Sequence, residues 1–154
     1  MKLRHLPIRL GAGAYILSSG VDKLSADEGT AAGLHGMASG AYPFLADVDP
    51  KTFTKALAAA EVGLGAALLV PVLPRVVVAA GFTAFSAGLV GMYVRTPALR
   101  RGESDPRPSE QGVGIAKDVI IFGAATSYLI DALTSSAKKA GVKAAKKAKK
   151  AVTH

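Results

Sequence analysis

Val76–Val94, VVVAAGFTAFSAGLVGMYV, is a run of 19 residues without a charge. A helix crossing the hydrocarbon core of a bilayer needs about 20 mostly apolar residues. Arg75 and Arg95 bracket the run, as anchors at two interfaces would. Tyr93 sits at one end, where aromatic side chains collect at the membrane boundary. A helix of a soluble protein normally keeps one polar face, and this run has none. Ala80, Ala84 and Gly88 recur at four-residue spacing, as do Ala87 and Gly91. In lipid, small residues so spaced let helices approach closely.

A second apolar run, Ala56 to Leu73, is broken only by Glu61. Asp49-Pro50 reads as its start, with Asp as N-cap and Pro in the first turn. Pro71 and Pro74 end it. The connection from Pro71 to Arg75 is short, so the two runs are expected to form an antiparallel hairpin. Two shorter runs flank this pair. Leu6–Leu24 has 12 uncharged residues between Arg9 and Asp22, and Gly112–Leu133 has 12 between Asp118 and Asp131. Beside a strong hairpin they read as spans whose charges lie near the interfaces or face the bundle. A cleaved signal peptide is the rival for the first run. Asp22-Lys23 follows the apolar stretch directly, which favours a retained helix.

The expected architecture is all-α: four transmembrane helices near 6–24, 53–72, 75–95 and 112–133. They make a transmembrane domain over 1–134, followed by a basic tail over 135–154. Ser25 to Asp49 forms an outer loop with a short interfacial helix near Thr30 to Ser39. Thr96 to Gln111 is a polar, Pro-containing loop.

Composition agrees with a membrane-embedded body. The chain has 154 residues, 50% hydrophobic and 19% charged. Soluble domains carry about 25% charged residues, and disordered chains are less apolar still. There is no Cys, so disulfides, thiolate metal sites and thiol chemistry are excluded for this chain. The net charge is +8, from 19 Lys and Arg against 11 Asp and Glu. Seven of those 19 are Lys138, Lys139, Lys143, Lys146, Lys147, Lys149 and Lys150, in a tail without acids. The rest of the chain is nearly neutral.

Both termini fall on one side of a four-span bundle. That side holds Lys2, Arg4, Arg9, Arg75 and the tail, 11 cations, against 7 on the other. The excess of positive charge places the termini in the cytoplasm.

Ionisable residues inside a membrane are costly, and each is a functional candidate. Glu61 lies near the middle of the second span. Depth matching places Tyr15, Ser18 and Ser19 of the first span beside it, with Thr83, Ser86, Thr126 and Ser127 at a similar level. A carboxyl in lipid favours its neutral form unless a cation or several donors face it. Glu61 is read as a polar clamp between helices; the alternative is a proton acceptor for a ligand such as a quinol. Asp22, Lys23, Lys117 and Asp118 are expected to form an ion network across the outer mouth. Such a network pins helices together, or else binds a polar head group or a partner. Arg9 is expected to snorkel to the inner head groups.

Catalytic motifs are absent. His5, His35 and His154 are the only histidines and none lies in a span, which argues against an intramembrane bis-His haem. HExxH, CxxC, Walker A and GxSxG patterns are missing, and no metal site is expected. In the tail, Lys139, Lys143, Lys146, Lys147 and Lys150 share one helical face. A polybasic segment beside a membrane is drawn to anionic lipid by about 1 kcal/mol per Lys. Docking on an acidic partner is the other reading. Without aromatics or Arg, the tail has no means of reading nucleic-acid bases.

Arg9-Leu10-Gly11 and Gly20-Val21-Asp22-Lys23-Leu24, with Ala60-Glu61-x-Gly63 and Gly114-Ile115-Ala116-Lys117-Asp118, complete the pattern. Over about 6–133 the chain resembles the DoxX-like family of small four-helix bacterial membrane proteins. The spacing Arg9-x-Gly11 and the lower aromatic content depart from that family's pattern. The resemblance implies an accessory subunit of a membrane redox complex, quinone-linked or tied to oxidative stress. The cofactor would be a bound quinone, the partners other subunits and lipids. Lack of Cys leaves sulfur chemistry to a partner. The competing expectation is a membrane scaffold whose tail recruits an acidic protein or anionic lipid. A transporter is less favoured for want of discontinuous helices.

Overall fold

A computed structural model describes the backbone of residues 3–102 and 104–152 and the side chains as far as 146. The described residues are helical, with no strand beyond an isolated bridge between Arg100 and Pro108. Helix α1 spans Leu6–Leu24, α2 Glu28–Ala41, α3 Pro50–Leu69 and α4 Arg75–Arg95. A four-residue turn of helix, α5, covers Val113–Ala116, and α6 runs from Asp118 to Val152.

Local chemistry explains the boundaries. Asp27 caps α2 by accepting from the Thr30 amide at 2.7 Å. Asp49 caps α3 by accepting from the Thr52 amide at 2.8 Å and its hydroxyl at 3.0 Å. Each satisfies an amide that the first turn leaves without a partner. These bonds hold both carboxyls below the usual Asp range. Helix α3 therefore starts at Pro50 rather than 53. It stops at Leu69, not 72, because Pro71 forces Val70 into an extended conformation. A helix is present where a short one was expected near 30–39: α2, longer at both ends.

Three helical segments are long and apolar enough to cross a membrane: Pro50–Leu69, Arg75–Arg95 and Val113–Lys146. Helix α1 has 19 residues but carries Arg9, Asp22 and Lys23, and it is not among the three. The expected fourth helix, 112–133, has a turn at Lys117 and does not stop at 133. Helix α6 continues through Gly141 into the Lys-rich tail, so no break in the helix separates bundle from tail.

The tightest packing joins α1 to α3, antiparallel, and α4 to α6. The hairpin partners α3 and α4 touch much less. Glycines account for this. A Cβ on Gly65 would lie 2.6 Å from the Leu17 amide nitrogen. One on Gly20 would lie 2.8 Å from both the Glu61 Cβ and the Val62 nitrogen. Only a missing side chain permits so close an approach. The small-residue pattern read on α4 does not play this part. Ala80, Ala84 and Ala87 are exposed, and Gly91 instead leaves room for the Tyr42 hydroxyl. The core is built by Ile16, Leu68, Val78, Ala79, Phe82, Ala125, Tyr128 and Ala132, from four helices.

Candidate functional site

At one end of the bundle, beneath α2, lies a cavity of about 540 Å³. Ligand pockets commonly measure about 300–1,000 Å³ and are mostly apolar with a few placed polar groups. Helix α2 and the turn after it contribute Leu34, Met37, Tyr42 and Leu45. Helices α3 and α4 add Phe53, Leu57, Phe85, Leu89 and Met92. The polar groups gather on the α1 and α5–α6 side: Tyr15, Ser19, Lys23, Lys117 and Asp118.

Lys23 is fully engaged. Its Nζ donates to Glu61 Oε2 at 2.8 Å, to Ser19 Oγ at 2.6 Å and to the Ser19 carbonyl at 3.2 Å. Glu61, 5% exposed, is brought within reach because Gly20 lets α3 press against α1. It does not line the cavity, and connects to it through Lys23. Lys117 Nζ lies 5.3 Å from the Tyr15 ring centroid, a cation–π contact. Asp118 is 8% exposed and lines the cavity without an ion-pair or hydrogen-bond partner among the described residues.

Tyr42 anchors the roof. Its hydroxyl donates to the Gly88 carbonyl at 2.7 Å, and the Arg95 guanidinium lies 4.8 Å from its ring centroid. His35 Nε2 lies 2.9 Å from the Leu45 carbonyl, and its ring meets Phe53 edge-on.

Several sequence expectations change here. Asp22, Lys23, Lys117 and Asp118 do not close into one ion network, because Lys23 turns inward to Glu61 while Asp22 stays exposed. Tyr15 and Ser19 do reach the polar wall, whereas Ser18 is exposed and is not among its residues. Thr83 and Ser86 bond back to carbonyls of their own helix, the Ala79 and Phe82 carbonyls, rather than to Glu61. Ser127 belongs to a groove at the opposite end, with Arg4, His5 and Asp131.

Arg9 does not snorkel. It is 2% exposed, and its Nε donates to the Leu68 carbonyl at 2.6 Å. One terminal nitrogen donates to the Ala67 carbonyl at 3.1 Å and the other to Tyr128 Oη at 3.3 Å. The helix-end carbonyls explain the inward turn. Ala67 would normally accept from the amide of residue 71, but that residue is Pro. The Val72 amide, due to Leu68, bonds to Val70 instead. A guanidinium supplies both missing donors and complements the negative end of the helix dipole.

Beside it, His5 is 4% exposed, edge-on to Tyr128, with Nε2 2.7 Å from Asp131 Oδ2. The separation is that of an ion pair, though the ring N–H is not aligned for a hydrogen bond. Arg4 also pairs with Asp131. Burial pushes the His5 imidazole below its ordinary value, outweighing the opposite pull of Asp131. Sequence reasoning missed this cluster. Pro71, four residues after Ala67, is the signal that a side-chain donor was needed.

Among the tail residues, Lys138, Lys139, Lys143 and Lys146 are exposed along α6. The side chains of Lys147, Lys149 and Lys150 lie outside the described residues. No group of His, Asp and Glu that could hold a metal occurs among the described residues. No protein-family model, curated protein or solved structure matches the chain.

Proposed function

We propose that this chain is a four-span bacterial inner-membrane protein that binds an amphipathic, lipid-soluble molecule in the cavity beneath α2. In this reading it serves as a DoxX-like accessory subunit of a membrane redox complex, and the ligand is a quinone. The observation that carries it is the asymmetry of the cavity. One wall is polar, from Tyr15, Ser19, Lys23, Lys117 and Asp118; the rest is aliphatic, aromatic and Met-lined.

Helix α1 is taken as the fourth span, because the bundle compensates its inner charges. Arg9 is satisfied by carbonyls and Lys23 by Glu61, which removes most of the cost of placing them in lipid. Large apolar side chains such as Leu10, Val77, Val119 and Ile120 face outward, as a lipid-exposed surface requires. Both termini are placed in the cytoplasm by the charge excess.

Native purification in polymer-bounded membrane discs, followed by mass spectrometry of bound lipids, quinones and proteins, tests this. A quinone retained with a partner subunit supports it. Recovery of the chain with bulk lipid alone overturns the redox-subunit reading.

A second reading is supported by the exposed lysines of α6. The chain would then act as a scaffold holding an acidic protein or anionic lipid at the cytoplasmic face. Deletion of 136–154 should weaken binding to anionic vesicles in a salt-dependent way; unchanged binding removes that reading.

A further inference from the structure

The cavity's charge pattern restricts its ligand further than its size does. Four ionisable groups stand at the polar wall or directly behind it: Lys23, Glu61, Lys117 and Asp118. Their formal charges cancel. Lys23 and Glu61 are consumed by each other, and all three Lys23 protons have partners. Two groups remain for a ligand. Among the described residues Lys117 makes no hydrogen bond; its Nζ lies over the Tyr15 ring and its charge acts on Asp118, which leaves its ammonium protons to donate. Asp118 is more than nine-tenths buried, lines the cavity and receives no hydrogen bond.

Asp118 lines the cavity, so a bound molecule can reach its carboxyl. No described side chain of the protein supplies a donor to Asp118. With the charges balanced in this way Asp118 is ionised, and an ionised carboxylate only accepts hydrogen bonds. A bound molecule that donates would satisfy it.

Resting on the proposed cavity function, we infer that the site takes a neutral amphiphile whose polar end both donates and accepts hydrogen bonds. Among quinone-type ligands this selects the reduced, hydroxyl-bearing hydroquinone over the quinone. A hydroquinone hydroxyl donates to Asp118 while its oxygen accepts from Lys117. A quinone carbonyl accepts from Lys117 but brings no proton to Asp118. An anionic head meets the Asp118 carboxyl, and a cationic head meets Lys117, so charged amphiphiles are disfavoured in both directions. The tail of the ligand lies along Met37, Phe85 and Met92.

The test uses the full chain in lipid nanodiscs under anaerobic conditions. Probes are a decyl-substituted benzoquinone, its hydroquinone, dodecyl phosphate and dodecyltrimethylammonium. The hydroquinone should bind about tenfold more tightly than the quinone, the worth of one net hydrogen bond. D118N should narrow that difference, whereas K117M should weaken both ligands alike, each variant being checked for an unchanged melting temperature. If D118N fails to fold, K117M and the four-probe comparison decide alone. Equal or tighter quinone binding overturns the head-group inference while leaving an amphiphile site in place. Tighter binding of either charged probe overturns it as well. Binding of none of the four overturns both this inference and the cavity reading beneath it.

Discussion

Lys23 Nζ lies 2.8 Å from Glu61 Oε2 and ties the C-terminal end of α1 to the middle of α3. Both side chains are largely buried, at 17% and 6% exposure. Removing one partner from such a pair strands a charge, at a cost of about 3–5 kcal/mol. Replacing both with apolar groups of similar volume is far milder. K23M should therefore be strongly destabilising, and K23M/E61M should recover most of the loss. Denaturation in mild detergent checks this. A double variant as unstable as K23M would show that the charges matter for something other than each other.

The Arg9 contacts make a sharper prediction, since a second site can repair the first. R9L leaves the Ala67 and Leu68 carbonyls without donors, and an unsatisfied buried acceptor costs about 1–3 kcal/mol. R9K keeps the charge but lacks the planar fork that reaches two carbonyls, so it should fall between. Pro71→Ala restores an amide four residues after Ala67. In the R9L background it should return part of the lost stability. No recovery would mean that Arg9 acts chiefly through Tyr128.

Glycine substitutions separate the observed packing from the pattern on α4. G65A drives a methyl onto Leu17 and G20A drives one onto Glu61 and Val62. Backbone atoms are among those met, so relief is limited, and overpacking costs about 1–3 kcal/mol or more. G88A and G63A meet nothing within 4 Å and should be neutral or slightly stabilising. Melting temperatures of the four variants measure the contrast. A destabilised G88A with a tolerant G65A would reverse the assignment.

The cluster around His5 predicts a pH response. Burial lowers the native pKa of His5 from its ordinary 6.5. Asp131 opposes this, while Arg4 and Arg75 add to it, and the Tyr128 ring packs edge-on. Between pH 6.5 and the lowered native value, the unfolded chain binds more protons at this position. Stability then rises with pH there. The His5 contribution is accordingly flat above about pH 7 and is lost as the solution is acidified through that window. H5Q should flatten that part of the profile. An identical slope in H5Q would assign the response to other groups.

The apolar run 76–94 shows how much the sequence settles alone. Nineteen uncharged residues between two arginines are long and apolar enough for a membrane-crossing helix, and α4 covers Arg75–Arg95 as expected. Asp49-Pro50 and Pro71 likewise set the ends of α3, because capping and the missing proline amide act within a few residues. Other features are decided by contacts far apart in the chain. Arg9 and Leu68 are 59 positions apart, and Lys23 and Glu61 are 38. Periodicity marks which residues are apolar, not which glycine faces which helix. The short connection between α3 and α4 suggested that they pack together, yet Gly20 and Gly65 make α1 the nearer partner of α3. The same three-dimensional choice draws Lys23 away from Lys117 and Asp118. It leaves Asp118 at the cavity wall with no hydrogen bond among the described residues, a state no local pattern encodes, because it depends on which helices meet.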